Sequence, residues 1–166
     1  MKMRKLIEFQ HCLTMYEAEL YGSASDNQQR DAKLVMDKYS SLFDYGLKDN
    51  VKHIDIGSAS GNIAIKYIHP YMPNNYNSFV ITDLVENMVE FAKTSYSKDY
   101  PKTVYRVLNI VSPSIPENLM NKFDSLTCFY CFHWLVDKRL VHRKYSIVLD
   151  LYFNSESTLF KNYLFF

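Results

Sequence analysis

A chain of 166 residues is long enough for one domain with a sizeable core and too short for two ordinary ones. Apolar residues make up 48% and charged residues 22%, a globular balance that excludes a disordered chain. The formal net charge of +1 gives no electrostatic case for nucleic acid or an anionic membrane as partner.

Aromatic residues are abundant at 16%, enough to line an apolar pocket as well as to fill a core. Cys12, Cys128 and Cys131 are too few and too oddly numbered for a disulfide framework, which points to a reducing compartment. Met1-Lys2-Met3-Arg4-Lys5 is basic but has no apolar stretch of signal-peptide length behind it. Polar residues interrupt every apolar run, so no membrane span is expected, and the cytoplasm is the expected location.

The first block, residues 1–43, reads as an N-terminal helical segment of two pieces joined at Gly22-Ser23-Ala24-Ser25. Ser25 or Asp26 is placed to cap a helix over residues 28–43, with Ala32, Val35, Met36, Tyr39 and Phe43 as its apolar stripe. Residues 44–150 read as the core. Val51-Lys52-His53-Ile54-Asp55-Ile56 alternates as a strand and stops at Gly57, and residues 62–71 look helical until Pro70 and Pro73. Ser78 to Thr82 is a β-branched strand ending at Asp83. Val85, Met88, Val89, Ala92 and Tyr96 then mark a helix. Thr103 to Leu108 is a third strand, Pro113 and Pro116 lie in a loop, and Phe123 to Cys131 is a fourth strand, apolar as a buried parallel strand should be. Arg139 to Leu149 is a further candidate helix. This alternation implies βαβ units, hence an α/β fold with a mostly parallel sheet and helices on both faces. Residues 151–166 form a divergent tail with no turn to launch a fifth strand. The sheet is therefore expected to be incomplete at its C-terminal side, with an exposed edge.

The densest motif is His53-Ile54-Asp55-Ile56-Gly57-Ser58-Ala59-Ser60-Gly61, at the first strand-to-helix turn. Its glycines let backbone approach a ligand, and the following helix start offers N–H groups to an anionic group. Asp83 ends the second strand, where a carboxylate suits paired ribose hydroxyls. The alternative for Asp83 is a cap on the helix that follows. The cofactor role is preferred, because glycine loop and acid occur at matching spacing. Gly-x-x-x-Gly preceded by Asp55 fits S-adenosylmethionine better than the Gly-x-Gly-x-x-Gly of dinucleotides. The cofactor-binding set expected from turn and acid is Asp55, Gly57, Ser58, Ala59, Gly61, Asp83 and Leu84.

These residues resemble a known family. Ala18-Glu19-Leu20-Tyr21, Asn27-Gln28-Gln29-Arg30-Asp31-Ala32 and Phe129-Tyr130-Cys131-Phe132-His133-Trp134-Leu135 are similar to segments of the arthropod juvenile hormone acid O-methyltransferases. Asn87-Met88-Val89 and Phe123-Asp124 agree by kind and position. The resemblance covers residues 16–149, about half of a full family member. It implies a Rossmann-like class I methyltransferase that moves a methyl group from S-adenosylmethionine to the carboxylate of an apolar, farnesoic-type acid. It further implies that Gln28 and the Trp134 indole N–H hold that carboxylate, with His133 beside them. Such a carboxylate is already ionised at neutral pH, so no general base is required.

Each of these roles has a plainer alternative. Gln28 would then be a solvent-facing helix residue, Trp134 a core residue and His133 a packing residue. Cys128-Phe129-Tyr130-Cys131 has C-x-x-C spacing but lies on a predicted strand, which argues against metal or redox use. Two departures from the family pattern bear on the cofactor. Ala59 stands for a central glycine, and Leu108-Asn109-Ile110 stands where the family has Leu-Asp-Ile. The resemblance thereby adds Asn109 and Ile110 to the expected cofactor-binding set, with the Asn109 carbonyl oxygen in place of an acid to accept from the exocyclic amine of the adenine. The competing readings are a catalytically inactive cofactor- or partner-binding fragment and a dinucleotide-dependent oxidoreductase. The loop spacing disfavours the second.

Overall fold

The computed structural model describes residues 17–43, 45, 48–131 and 163–165. Its elements in chain order are α1 (Ala18–Ser23), α2 (Asp26–Tyr39), β1 (Lys52–Ile56), β2 (Ser78–Asp83), α3 (Glu86–Tyr96), β3 (Thr103–Val107), β4 (Ser125–Cys128) and β5 (Tyr163–Phe165). Short 3-10 turns cover Ser40–Leu42 and Glu117–Leu119.

All strand pairs are parallel, in the order β3-β2-β1-β4-β5. The order reverses between β1 and β4, the place where an open α/β sheet leaves a crevice at the carboxyl ends of its strands. Alternate residues of each strand feed two apolar layers. Ile54, Ile56, Val80, Leu126 and Cys128 meet Leu108, Ile110, Leu119 and Phe123 on one face. Phe79 and Ile81 face the opposite way, toward Ala32 and Met36 of α2, Ile65 and Ile68 of the helical segment after β1, and Ala92 of α3. The result is an α/β, Rossmann-like fold.

The elements differ from expectation at their ends, for local reasons. The helix expected over residues 28–43 begins at Asp26 and ends at Tyr39. Ser25 occupies its N-cap position, yet its hydroxyl makes no cap bond. It donates instead to Gly22 O at 2.7 Å and accepts from Asn62 Nδ2 at 2.7 Å, fastening the α1–α2 junction to the segment after the glycine turn. Residues 62–71 are helical as expected, but with a π-helical turn over Ala64–Ile68 and a 3-10 turn over His69–Tyr71. The fourth strand stops at Cys128 rather than Cys131. Tyr130 adopts φ +54, a left-handed conformation that no strand can carry forward. The third stops at Val107, one residue early.

One part of the expectation for the tail, the absence of a fifth strand, is overturned. Beside β4 lies β5, with Leu126 opposite Tyr163 and Cys128 opposite Phe165. The tail therefore does supply a strand, and the β4 edge is covered. Its pairing partner lies some thirty-five residues earlier, a relation that no local turn signal reports. The candidate helix at Arg139–Leu149 lies outside the described residues. Among the described residues, no helix is long and apolar enough to cross a membrane.

Candidate functional site

β1 carries a buried polar column that the alternating sequence does not announce. His53 and Asp55 face β4 in register with Ser125 and Thr127, and all four are essentially fully buried. Thr127 Oγ1 donates to Asp55 Oδ1 at 2.5 Å. It therefore accepts from His53 Nε2–H at 2.9 Å, and His53 Nδ1 accepts from Ser125 Oγ at 2.7 Å. Ser125 in turn accepts from Tyr45 OH at 2.7 Å. His53 also stacks on Phe79, with ring centroids 4.9 Å apart. Burial drives the His53 pKa down to about 3, so the imidazole is neutral. Burial pushes Asp55 up to about 7, with the Thr127 bond opposing and the Asp83 charge adding to the rise.

Above this column the glycine turn is stitched to β2. Gly57 N–H and Ser58 N–H both donate to Thr82 O at 2.9 Å, and Gly61 N–H donates to Ser58 O at 2.9 Å. Ala59 N–H donates to Asp83 Oδ2 at 2.8 Å, while Asp83 Oδ1 accepts from Val85 N–H at 2.9 Å. These four turn N–H groups are thus occupied inside the protein. Asp83 does part of a cap's work for α3 while it also fixes the turn. Burial nevertheless raises its pKa above the usual carboxylate range.

Gly57 and Gly61 both have positive φ, at +74 and +78, and each is crowded. A Cβ on Gly57 would lie 2.6 Å from Cys131 Cβ, and one on Gly61 would lie 3.0 Å from Ala92 Cβ. Ala59 accepts the same left-handed region at φ +48, and its methyl packs with Ala18 and Met88.

A cavity of about 120 Å³ opens at the carboxyl ends of β1 to β4. It is lined by six of the expected cofactor residues: Gly57, Ala59, Asp83, Leu84, Asn109 and Ile110. Asp55, Ser58 and Gly61 do not line it. Asp55 is 2% exposed and faces Thr127, Ser58 donates back to Asp55 O at 3.1 Å, and Gly61 packs on α3. Gln28 is half-buried on α2 and is not a wall of the cavity. His133 and Trp134 lie outside the described residues.

Tyr21, Tyr130 and Cys131 complete the wall, and sequence reasoning gave none of them a site role. Their signal was present only in the family-like segments that contain them. Burial, then the Asp83 and Cys131 charges, raises the Tyr21 pKa, so its phenol is neutral. Tyr130 reaches out of the cavity to donate to Asp31 Oδ2 at 2.5 Å, tying α2 to the end of β4. That bond, followed by the Arg30 contacts, holds the Asp31 pKa below its usual value. Tyr130→Phe should therefore raise the Asp31 pKa toward that of an ordinary aspartate, as read by NMR titration of its carboxyl carbon. An unchanged value would show that Arg30 alone sets it.

Chemically, the cavity presents one carboxylate, one primary amide, two phenols, a thiol and otherwise apolar walls, and no Lys, Arg or His among the described residues lines it. Such a lining suits a neutral or cationic ligand with a vicinal diol and a flat apolar ring better than a pyrophosphate. No group of three metal-ligating side chains occurs among the described residues.

Comparison with known proteins agrees with this geometry. The chain is 35% identical over 121 residues to the juvenile hormone acid O-methyltransferase of Drosophila melanogaster, covering 73% of this chain and 40% of that protein. It is 30% identical over 129 residues to the Bombyx mori protein of the same name, covering 78% and 45%. The chain thus spans less than half the length of these curated relatives. A SAM-dependent methyltransferase from Aquifex aeolicus shares the fold, with a TM-score of 0.61 at 17% identity over 81% of this chain and 66% of that one. Residues 54–150, more than half of the chain, match the family model described as a methyltransferase domain. That span starts inside β1 and takes in β2, α3, β3 and β4, so the turn, the acid and most of the cavity wall fall within it, and the chain belongs to the class I methyltransferase domain family.

Proposed function

We propose that the cavity binds S-adenosylmethionine and that the protein methylates the carboxylate of an apolar small-molecule acid of farnesoic type. One observation carries the cofactor reading. Asp83 stands at the end of β2 with both oxygens oriented by backbone N–H groups, while the glycine turn has spent its N–H groups of residues 57, 58, 59 and 61 internally. Each Asp83 oxygen keeps a lone pair for one hydroxyl of a ribose diol, whereas a pyrophosphate would find few donors. Leu84, Leu108, Ile110 and Val111 form an apolar slot beyond Asp83 for a purine ring. The Asp83 carboxylate, with no cationic side chain among the described residues of the lining, also favours a sulfonium cation.

The bound cofactor would supply an electrophilic methyl group. The protein's part is alignment and exclusion of water. Asp83 fixes the ribose, and Tyr21 and Tyr130 wall the cavity on the α1 and β4 sides. The acceptor's identity is carried by the names of the similar proteins and by the family-like segments around Gln28 and Trp134, which we assign to holding the acceptor carboxylate by neutral hydrogen bonds. Neutral donors orient an oxygen nucleophile without quenching it as a full cation would.

Calorimetric titration of the purified chain with S-adenosylmethionine tests the cofactor reading, with NAD as control. A Kd on the order of 1–100 μM for the first and no heat from the second is the expected result. Binding of NAD alone would overturn it. Gln28→Ala should leave cofactor affinity intact, because Gln28 is not a wall of the cavity, and lower methyl transfer to farnesoic acid by about 100-fold. Loss of cofactor binding in that variant would assign Gln28 elsewhere. Cofactor binding with no methyl transfer to any apolar acid would leave the chain a binding fragment.

A further inference from the structure

Asn109 follows β3, lines the cavity with Ile110 and Val111, and is exposed. Its side chain is not free to turn either way. Oδ1 accepts from Val111 N–H at 3.0 Å, a bond that an amide flipped end for end could not make. Among the described residues, the Nδ2 amide, which carries two donor hydrogens, has no partner. Oδ1 keeps a second lone pair, so the side chain presents the two Nδ2 donors to the cavity beside an oxygen that can still accept from an exocyclic amine.

We propose, resting on the cofactor reading above, that Asn109 reads the purine by donation, so that a 6-oxo purine nucleoside is held about as well as the 6-amino one. An adenine offers a ring nitrogen as acceptor beside its amine, and a hypoxanthine offers its 6-oxo oxygen at the neighbouring position. Nδ2 serves both. A carboxylate at position 109 would do the opposite, because it accepts from the 6-amino group and opposes the 6-oxo oxygen. The other polar side chains of the wall do not compete for this role. Asp83 is committed to the turn and the ribose, and Tyr21, Tyr130 and Cys131 come from α1 and the end of β4.

The test compares S-adenosyl-L-homocysteine with S-inosyl-L-homocysteine by calorimetry, using the full chain and Asn109→Asp. The variant keeps an acceptor for Val111 N–H, so its fold should persist, which a thermal melt checks. In the unmodified chain the two Kd values should agree within about threefold. In Asn109→Asp the ratio of inosyl to adenosyl Kd should rise by about tenfold or more, the effect of one lost and one opposed hydrogen bond. Preference of the unmodified chain for the adenosyl ligand by more than about tenfold overturns the proposal, as does an unchanged ratio in the variant. If the adenosyl ligand does not bind the unmodified chain at all, the cofactor reading falls and takes this inference with it. Tight adenosyl binding with the wrong ratio removes the inference alone.

Discussion

Asp83→Asn should abolish S-adenosylmethionine binding and also lower the melting temperature. The carboxylate accepts from Ala59 N–H through one oxygen and from Val85 N–H through the other, and the residue is only 4% exposed. An amide of the same shape has one acceptor, so its NH₂ group must confront one of those N–H donors in a largely buried site. Leaving such a donor unpaired costs about 1–3 kcal/mol, or several degrees of melting temperature for a chain of this size. Either the turn or the start of α3 loosens, and the ribose loses its partner in both cases. Burial raises the pKa of Asp83, so relief of the buried charge offsets part of this cost, but the facing donors remain. Calorimetry and a thermal melt on the same sample separate the two effects. Undiminished affinity in Asp83→Ala, where both oxygens are gone, would remove the site assignment.

His53→Phe should change the pH dependence of stability more than any surface substitution. Phenylalanine keeps the stacking on Phe79 but cuts the chain from Ser125 to Thr127. Because the folded pKa of His53 lies near 3, against 6.5 in the unfolded chain, its contribution is fully present above pH 6.5 and is lost as pH falls toward 3. Asp55 runs the other way. Its pKa of about 7, against 3.8, gives a contribution present below pH 3.8 and lost as pH rises through 7. Between about pH 4 and 6.5 the two slopes oppose each other in the unmodified protein. Removing His53 exposes the Asp55 slope. The stability difference between the two proteins should then change by about 1.4 kcal/mol per pH unit across that window, as read from urea melts at three pH values. Parallel curves would show that His53 is not neutral in the folded state.

How much of this was legible without coordinates depends on the range of the interaction. The strand, glycine turn and acid were readable because each is a local event: a β-branched run, a turn that needs positive φ, a carboxylate at a strand end. The start of α2 was misplaced by two residues, since the hydroxyl of Ser25 bonds Asn62 from a distant turn instead of capping its own helix. The alternation in β1 suggested a strand and left open what its polar members do. Pairing with β4 buries His53 and Asp55 against Ser125 and Thr127 and turns them into a hydrogen-bonded column. Gln28 and Trp134 were nominated by family likeness alone, since no spacing rule singles out a glutamine or an indole as a ligand for a carboxylate.

By itself the sequence determined the α/β class, the parallel strands β1 to β4, and the cavity-wall residues Gly57, Ala59, Asp83 and Leu84, because hydrophobic period and turn chemistry act within a few residues of chain, while Asn109 and Ile110 came from family likeness. Only the tertiary structure decided that β5 covers the β4 edge, that the N–H groups of residues 57, 58, 59 and 61 are satisfied by Thr82, Asp83 and Ser58, and that Asn109 Oδ1 accepts from Val111 N–H at the cavity wall. Most of these depend on which backbone group lies opposite which across the sheet or a turn, and a hydrogen bond is fixed by that geometry rather than by residue type.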